Sequence, residues 1–150
     1  MIEIFEDNFN EAYASSNFNI SFTNSVELSH KVISRVDCRR LLIIGKVQSG
    51  KTSHFIGLTC KLFDSNYNLG VVFSGTKNNL HNQTLKRFRK DLKNTNIKII
   101  SDNDKDIASV LGNALNNNFP IIIICLKNHI RIDNLREFLS GQPAVKNTFI

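Results

Sequence analysis

The sequence lacks any apolar run of about eighteen residues, the length at which a membrane-spanning helix becomes a candidate. Its N-terminus, Met1 to Asp7, is acidic, whereas a secretory signal begins with basic residues and continues into an apolar stretch. The sequence therefore predicts a cytoplasmic protein that has no membrane partner.

Cysteine is also scarce, with three residues far apart at Cys38, Cys60 and Cys125. An odd number at such wide spacing makes neither a disulfide framework nor a zinc site with the histidines. We expect free thiols in a reducing compartment. The chain also lacks internal repeats and low-complexity linkers, and its 150 residues suit one domain with a core.

Short apolar runs that alternate with helical patterns begin at Leu41, a pattern typical of βαβ units and a mainly parallel sheet. The predicted strands are 41–44, 69–73, 97–100 and 119–126. Helices are predicted around the apolar positions of 55–63, 80–92, 107–115 and 132–139. We expect Gly141 to end the last helix. Residues 1–40 form a predicted N-terminal extension with a short helix at about 25–36, and 41–150 form the main domain.

A phosphate-loop motif follows the first predicted strand. Gly45 to Thr52 reads Gly-Lys-Val-Gln-Ser-Gly-Lys-Thr, which fits G-x-x-x-x-G-K-[ST] between a strand and a helix. Gly45 and Gly50 would let the backbone turn tightly so that its N–H groups face phosphate oxygens. Lys51 would contact the β- and γ-phosphates, and the Thr52 hydroxyl would be a ligand of Mg²⁺.

The motif predicts an α/β, three-layer P-loop NTPase fold with a mainly parallel sheet, with ATP and Mg²⁺ bound at the carboxyl end of the first strand. The predicted cofactor-binding residues are Gly45, Val47, Gln48, Ser49, Gly50, Lys51, Thr52 and Ser53. The alternative is a chance match, which arises in on the order of one in a few hundred chains of this length. The strand before the motif and the helix after it lower that chance further.

The segment Val47 to Thr52, together with Val71 to Thr84, resembles the putative endonuclease family with the Z-one domain, most closely over residues 41–93. A weaker likeness runs through 121–128 and the helix that ends at Leu139. The resemblance implies a superfamily-2 helicase-like ATPase that acts on nucleic acid in bacterial restriction or anti-phage defence. It also implies DNA and other subunits of a defence system as partners.

An acidic Walker B strand would come next in such a protein, but no Asp-Glu pair follows an apolar strand in this sequence. We therefore expect an N-terminal piece of the ATPase, incomplete at its C-terminus, that binds nucleotide and hydrolyses it poorly. One alternative is a nucleotide-binding module without turnover that acts as a regulatory or partner-binding protein. A small-molecule or nucleotide kinase is less favoured, because no Arg-rich lid follows the motif.

The second predicted helix is strongly basic. Its cluster consists of Lys77, Lys86, Arg87, Arg89, Lys90 and Lys93. The resemblance places this helix where helicase-like proteins touch a nucleic-acid backbone, and phosphate contacts are then expected from Lys86, Arg87, Arg89 and Lys90. A solvated helix face explains the cluster at least as well, because a basic helix alone has no base-reading chemistry.

Acidic residues before the third predicted helix look like a metal cluster at first sight. They are Asp102, Asn103, Asp104 and Asp106. We expect them to serve as helix caps and dipole partners, because the glycine and the closing glutamate of a calcium loop are absent.

Amide side chains follow the Ser74-Gly75 turn, and we expect at least one of Asn78, Asn79 and Gln83 to cap the second helix. His54 and His81 lie near the predicted site in the sequence, but spacing alone names no triad or metal partner for either. Both histidines remain unassigned.

Overall fold

The structure, a computed structural model, describes residues 20–34, 51–142 and 148–149. The predicted strand 41–44, loop residues 45–50 and the predicted boundary at residue 40 all lie outside this part of the chain. The chain divides into two compact units, Met1–Ser65 and Asn66–Ile150.

The described part of the first unit consists of two packed helices, α1 (Ile20–Ile33) and α2 (Lys51–Asp64). Helix α1 begins and ends earlier than its predicted range of about 25–36. Helix α2 extends beyond the apolar pattern at both ends and starts at the lysine of the phosphate-loop motif. Its buried apolar residues include Ile56, Leu58, Cys60, Leu62 and Phe63.

The second unit is built on a parallel sheet, which confirms an α/β fold. Its strands are β1 (Leu69–Phe73), β2 (Lys98–Ser101), β3 (Ile121–Cys125) and β4 (Thr148–Phe149), in the spatial order β2-β3-β1-β4. Each pair of neighbouring strands is parallel, with Leu69 beside both Ile121 and Thr148. Strand β1 has its predicted bounds, β2 is displaced by one residue, and β3 is shorter than 119–126.

Strand β3 lies between β1 and β2, and all five of its residues have 0% exposure. A near-continuous apolar run is what a parallel strand covered on both faces requires. The strand starts later than predicted for two reasons. Pro120 has no N–H group to donate to a neighbouring strand. Phe119 N donates instead to Ala114 O at 2.8 Å, which closes the preceding helix.

Helices α3 (Asn78–Asp91), α4 (Ile107–Asn116) and α5 (His129–Ser140) connect the strands. Residues of α4 and α5, such as Leu111 and Leu135, share a core with Ile121 and Ile123. Successive strand residues point to opposite faces of a sheet. Ser101 is the register partner of Ile124, so its side chain lies on the face opposite to that of Ile123. On that face it contacts His81 of α3. The unit therefore has helices on both faces of its sheet.

Helix α5 ends at Ser140 and is followed by Gly141, as predicted. Gly141 is the C-cap and has a φ of −84°, which any residue could adopt. No described helix has the length and apolar character that crossing a membrane would require.

Candidate functional site

The phosphate-loop motif meets the described structure at its last three predicted ligand residues. Lys51, Thr52 and Ser53 form the first turn of the 14-residue helix α2. Thr52 is half-buried and Ser53 is fully buried. Backbone N–H groups of a first turn lack partners within the helix, and the helix dipole adds partial positive charge there. This turn therefore has the local conformation that an anion-binding helix end needs.

Side chains from α1 hold α2 along its length. Ser29 Oγ lies 3.0 Å from His54 Nε2, and Lys61 Nζ lies 3.1 Å from Glu27 Oε1. Burial lowers the pKa of His54. At neutral pH this imidazole is uncharged, so it supports the helix without adding positive charge beside the phosphate-loop residues.

In the second unit, a polar cluster lies at the carboxyl ends of β1 and β2. His81 of α3 is 5% exposed, and its Nδ1 lies 3.0 Å from Ser74 Oγ. The other ring nitrogen, Nε2, lies 2.9 Å from Ser101 Oγ. This histidine therefore joins the first two strands of the unit, a role that sequence spacing did not indicate.

Asp102 follows β2 and forms an ion pair with Arg131 of α5. Arg131 Nε donates to Asp102 Oδ2 at 2.6 Å, and Arg131 Nη2 donates to Asp102 Oδ1. The Asp102 side chain is 3% exposed and that of Arg131 is 21% exposed. Cys125 Sγ also donates to Asp102 Oδ2, at 3.3 Å. Burial raises the pKa of the Cys125 thiol to about 12, so it remains protonated.

The expected capping role of the acidic cluster is therefore wrong, because none of its three aspartates caps α4 with its side chain. Asp102 forms the buried ion pair, and Asp104 Oδ2 accepts from Ser101 N at 2.9 Å. Asp106 is the N-cap of α4, but its side chain makes no capping bond. The position of Asp102 directly after a buried strand was the available signal. Among the described residues, no group of His, Cys, Asp and Glu side chains has an arrangement that could hold a metal ion.

The expected caps of α3 are also wrong. The N-cap is Lys77, without a side-chain capping bond, and Asn78 and Asn79 already lie within the helix. A capping side chain must precede the first helical residue, and Gln83 lies beyond the first turn. The chain instead enters α3 through Gly75, which has a φ of +102° and accepts from Lys127 N at 2.7 Å.

The basic face of α3 is exposed, as its apolar stripe predicted. All six residues of the basic cluster are exposed, whereas Phe88 and Leu92 are buried. Arg87 Nε lies 3.5 Å from Asp91 Oδ2, and Arg89 Nη2 lies 3.8 Å from Asp104 Oδ2.

Lys86 and Lys90 form no ion pair with the described carboxylates. Their charges are therefore available to a polyanion.

A small open pocket adjoins the Asp102–Arg131 pair, with a volume of about 240 Å³. Its polar lining includes Asn103 and Asn134, and its apolar lining is Ile107, Leu135 and Phe138. Three of the five guanidinium N–H groups of Arg131 are not used by Asp102.

Comparisons of the chain with protein-family models, curated proteins and solved structures find no match.

Proposed function

We propose that the chain binds ATP and Mg²⁺ through residues 45–53 and is the nucleotide-binding part of a P-loop, helicase-like ATPase that acts on nucleic acid. One observation carries this proposal. Helix α2 begins at Lys51, directly after the last glycine of the motif. A phosphate loop requires that junction, because its lysine and hydroxyl residue must lie where the loop meets the helix N-terminus.

The proposed roles follow from the chemistry of that turn. First-turn N–H groups and the Lys51 ammonium stabilise the phosphate charge, and the Thr52 hydroxyl binds Mg²⁺. Support for α2 from Ser29 and Glu27 restricts the helix and lowers the cost of ordering it when nucleotide binds. The parallel sheet of the second unit suits the same class of fold.

Titration of the full chain with a fluorescent ATP analogue and Mg²⁺ tests the proposal. Loss of the charge-assisted bonds in Lys51→Ala should cost about 1.5–3 kcal/mol, so that Kd rises about 10- to 150-fold. Lys105→Ala removes an exposed lysine far from the motif in sequence and should bind normally. Thr52→Ala should lose most of the Mg²⁺ dependence of binding. Equal binding by wild type and Lys51→Ala would refute the proposal.

Phosphate release in the same samples separates the ATPase from its alternative, a binding module without turnover. Release that depends on Lys51, with or without DNA, supports an ATPase. Tight Mg²⁺-dependent binding without release supports a regulatory or partner-binding module. The two forms of the proposal share the phosphate loop and differ only in this result.

The exposed basic face of α3 favours nucleic-acid backbone contact as a second function. Lys86→Ala with Lys90→Ala should weaken binding of single-stranded DNA and lower the slope of log K against log salt by about 0.7 for each lost phosphate contact. Lys105→Ala with Lys127→Ala removes the same charge from exposed positions outside α3. Fluorescence anisotropy measures DNA binding by each double variant. Equal weakening of binding in both double variants would show that α3 contributes only net charge.

A further inference from the structure

Four hydrogen-bonding contacts, made through two serines, connect His81 of α3 with the carboxyl ends of three strands. Ser74 Oγ lies 3.0 Å from His81 Nδ1 and 3.1 Å from Cys125 O. Ser101 Oγ lies 2.9 Å from His81 Nε2 and 3.3 Å from Asp102 Oδ1. The contacts form one continuous path from the Cys125 carbonyl to the Asp102 carboxylate.

The number of protons decides which contacts are hydrogen bonds. A neutral imidazole has one N–H, and the two serines supply one hydroxyl proton each, so three protons serve four contacts. The contact between Ser101 Oγ and Asp102 Oδ1 is the longest of the four, so we infer that this is the contact without a proton between its two atoms. His81 then donates from Nδ1 to Ser74, and its Nε2 accepts from Ser101.

Protonation of His81 changes this arrangement without breaking it. An imidazolium donates from both nitrogens, so Ser101 can no longer donate to Nε2. Its hydroxyl proton turns to Asp102 Oδ1, and all four contacts become hydrogen bonds. The same carboxylate oxygen accepts from Arg131 Nη2. The added proton comes from solvent, and the only further change is rotation of one hydroxyl group.

We propose that His81 and Ser101 form a proton-linked relay, in which protonation of His81 turns the Ser101 hydroxyl onto Asp102 and thereby alters the ion pair with Arg131. The relay links α3, with its basic outer face, to the pocket beside α5. It stands on the geometry of the second unit and does not depend on the proposed nucleotide site.

Charged groups around His81 set the pH range of the relay. Burial lowers its pKa, and Arg131 on α5 lowers it further, whereas Asp102 and Asp104 after β2 raise it. Cys125 on β3 is an uncharged thiol at these pH values. Because burial is the largest cause, His81 is neutral at pH 7 and protonates only in acid, below its ordinary pKa of about 6.5.

Nitrogen-15 NMR of the histidine rings in the full chain tests the resting state. His81, assigned by the signal missing from His81→Gln, should be the Nδ1–H tautomer near pH 7.5. Ser74→Ala removes the acceptor of that proton and should shift the ring to the Nε2–H tautomer. A wild-type ring with the proton on Nε2, or on both nitrogens, would overturn the proposal without needing any variant.

The Arg131 Nε–H resonance tests the second step. It should titrate with the midpoint of His81, and Ser101→Ala should reduce this response several-fold, leaving only the direct effect of the imidazolium charge. An Arg131 response that is unchanged in Ser101→Ala would show that Ser101 carries no signal.

Discussion

Removal of Arg131 should strongly destabilise the second unit. Its partner Asp102 is a side chain with 3% exposure, and Arg131→Met would leave that carboxylate buried without its cation. Two charges about 4 Å apart attract by about 4 kcal/mol at an effective dielectric constant of 20. Breaking a buried pair costs about 3–5 kcal/mol, and the 21% exposure of Arg131 favours the lower part of that range.

Urea unfolding followed by far-UV circular dichroism measures this cost, because the chain has no tryptophan. Arg136→Met is the matched control, since Arg136 pairs with Asp133 on the same helix at 81% and 63% exposure. That exposed pair should contribute about 0–1 kcal/mol. Because the chain divides into two units, the curves are fitted with a model that allows each unit its own transition.

A double-mutant cycle separates the ion pair from lost packing. Asp102→Asn with Arg131→Met should be less destabilised than the sum of the two single variants, because the double variant buries no unpaired charge. An Arg131→Met cost no larger than that of Arg136→Met, or full additivity in the cycle, would show that the ion pair does not stabilise the second unit.

Two further predictions concern pH and the turn before α3. Burial lowers the pKa of both His81 and His54 in the folded chain. The unfolded chain therefore binds protons more readily than the folded chain. The stability from these two histidines is fully present above about pH 6.5 and is lost as pH decreases through that value. Urea midpoints from pH 8 to 5 should show this fall, and His81→Gln should flatten it; the same slope in His81→Gln would contradict it. Gly75→Ala should cost about 1–3 kcal/mol, because Gly75 has a φ of +102° and a new Cβ would lie 3.2 Å from Leu80 Cδ1. Gly112→Ala, a helical position with open space, should instead stabilise by about 0.5–1 kcal/mol, and similar midpoints for the two variants would contradict the strain.

Periodicity was sufficient for the elements that bury a regular apolar face. The apolar runs gave β1 with its observed bounds, and the stripe of Phe88 and Leu92 gave the buried side of α3. These features depend on local alternation, which a single sequence contains. Element ends were less accurate: α1 begins before its apolar pattern, at Ile20.

The polar cluster could not be predicted in the same way. Asp102 and Arg131 are 29 positions apart, and His81 and Ser101 are 20 apart. Their proximity depends on the strand order, in which β3 lies between β1 and β2. No sequence spacing expresses that order, so the sequence predicts only a capping role for Asp102 and no role for the other three residues.

Nucleotide binding at the proposed site, residues 45–53, can be followed residue by residue. The experiment is backbone amide NMR of the nitrogen-15-labelled full chain, titrated with ATP and Mg²⁺. We expect the largest shifts at Lys51, Thr52 and Ser53 and in the loop before them, and their loss in Lys51→Ala. Shifts confined to the pocket beside Arg131, or no shifts at all, would rule out the proposed site.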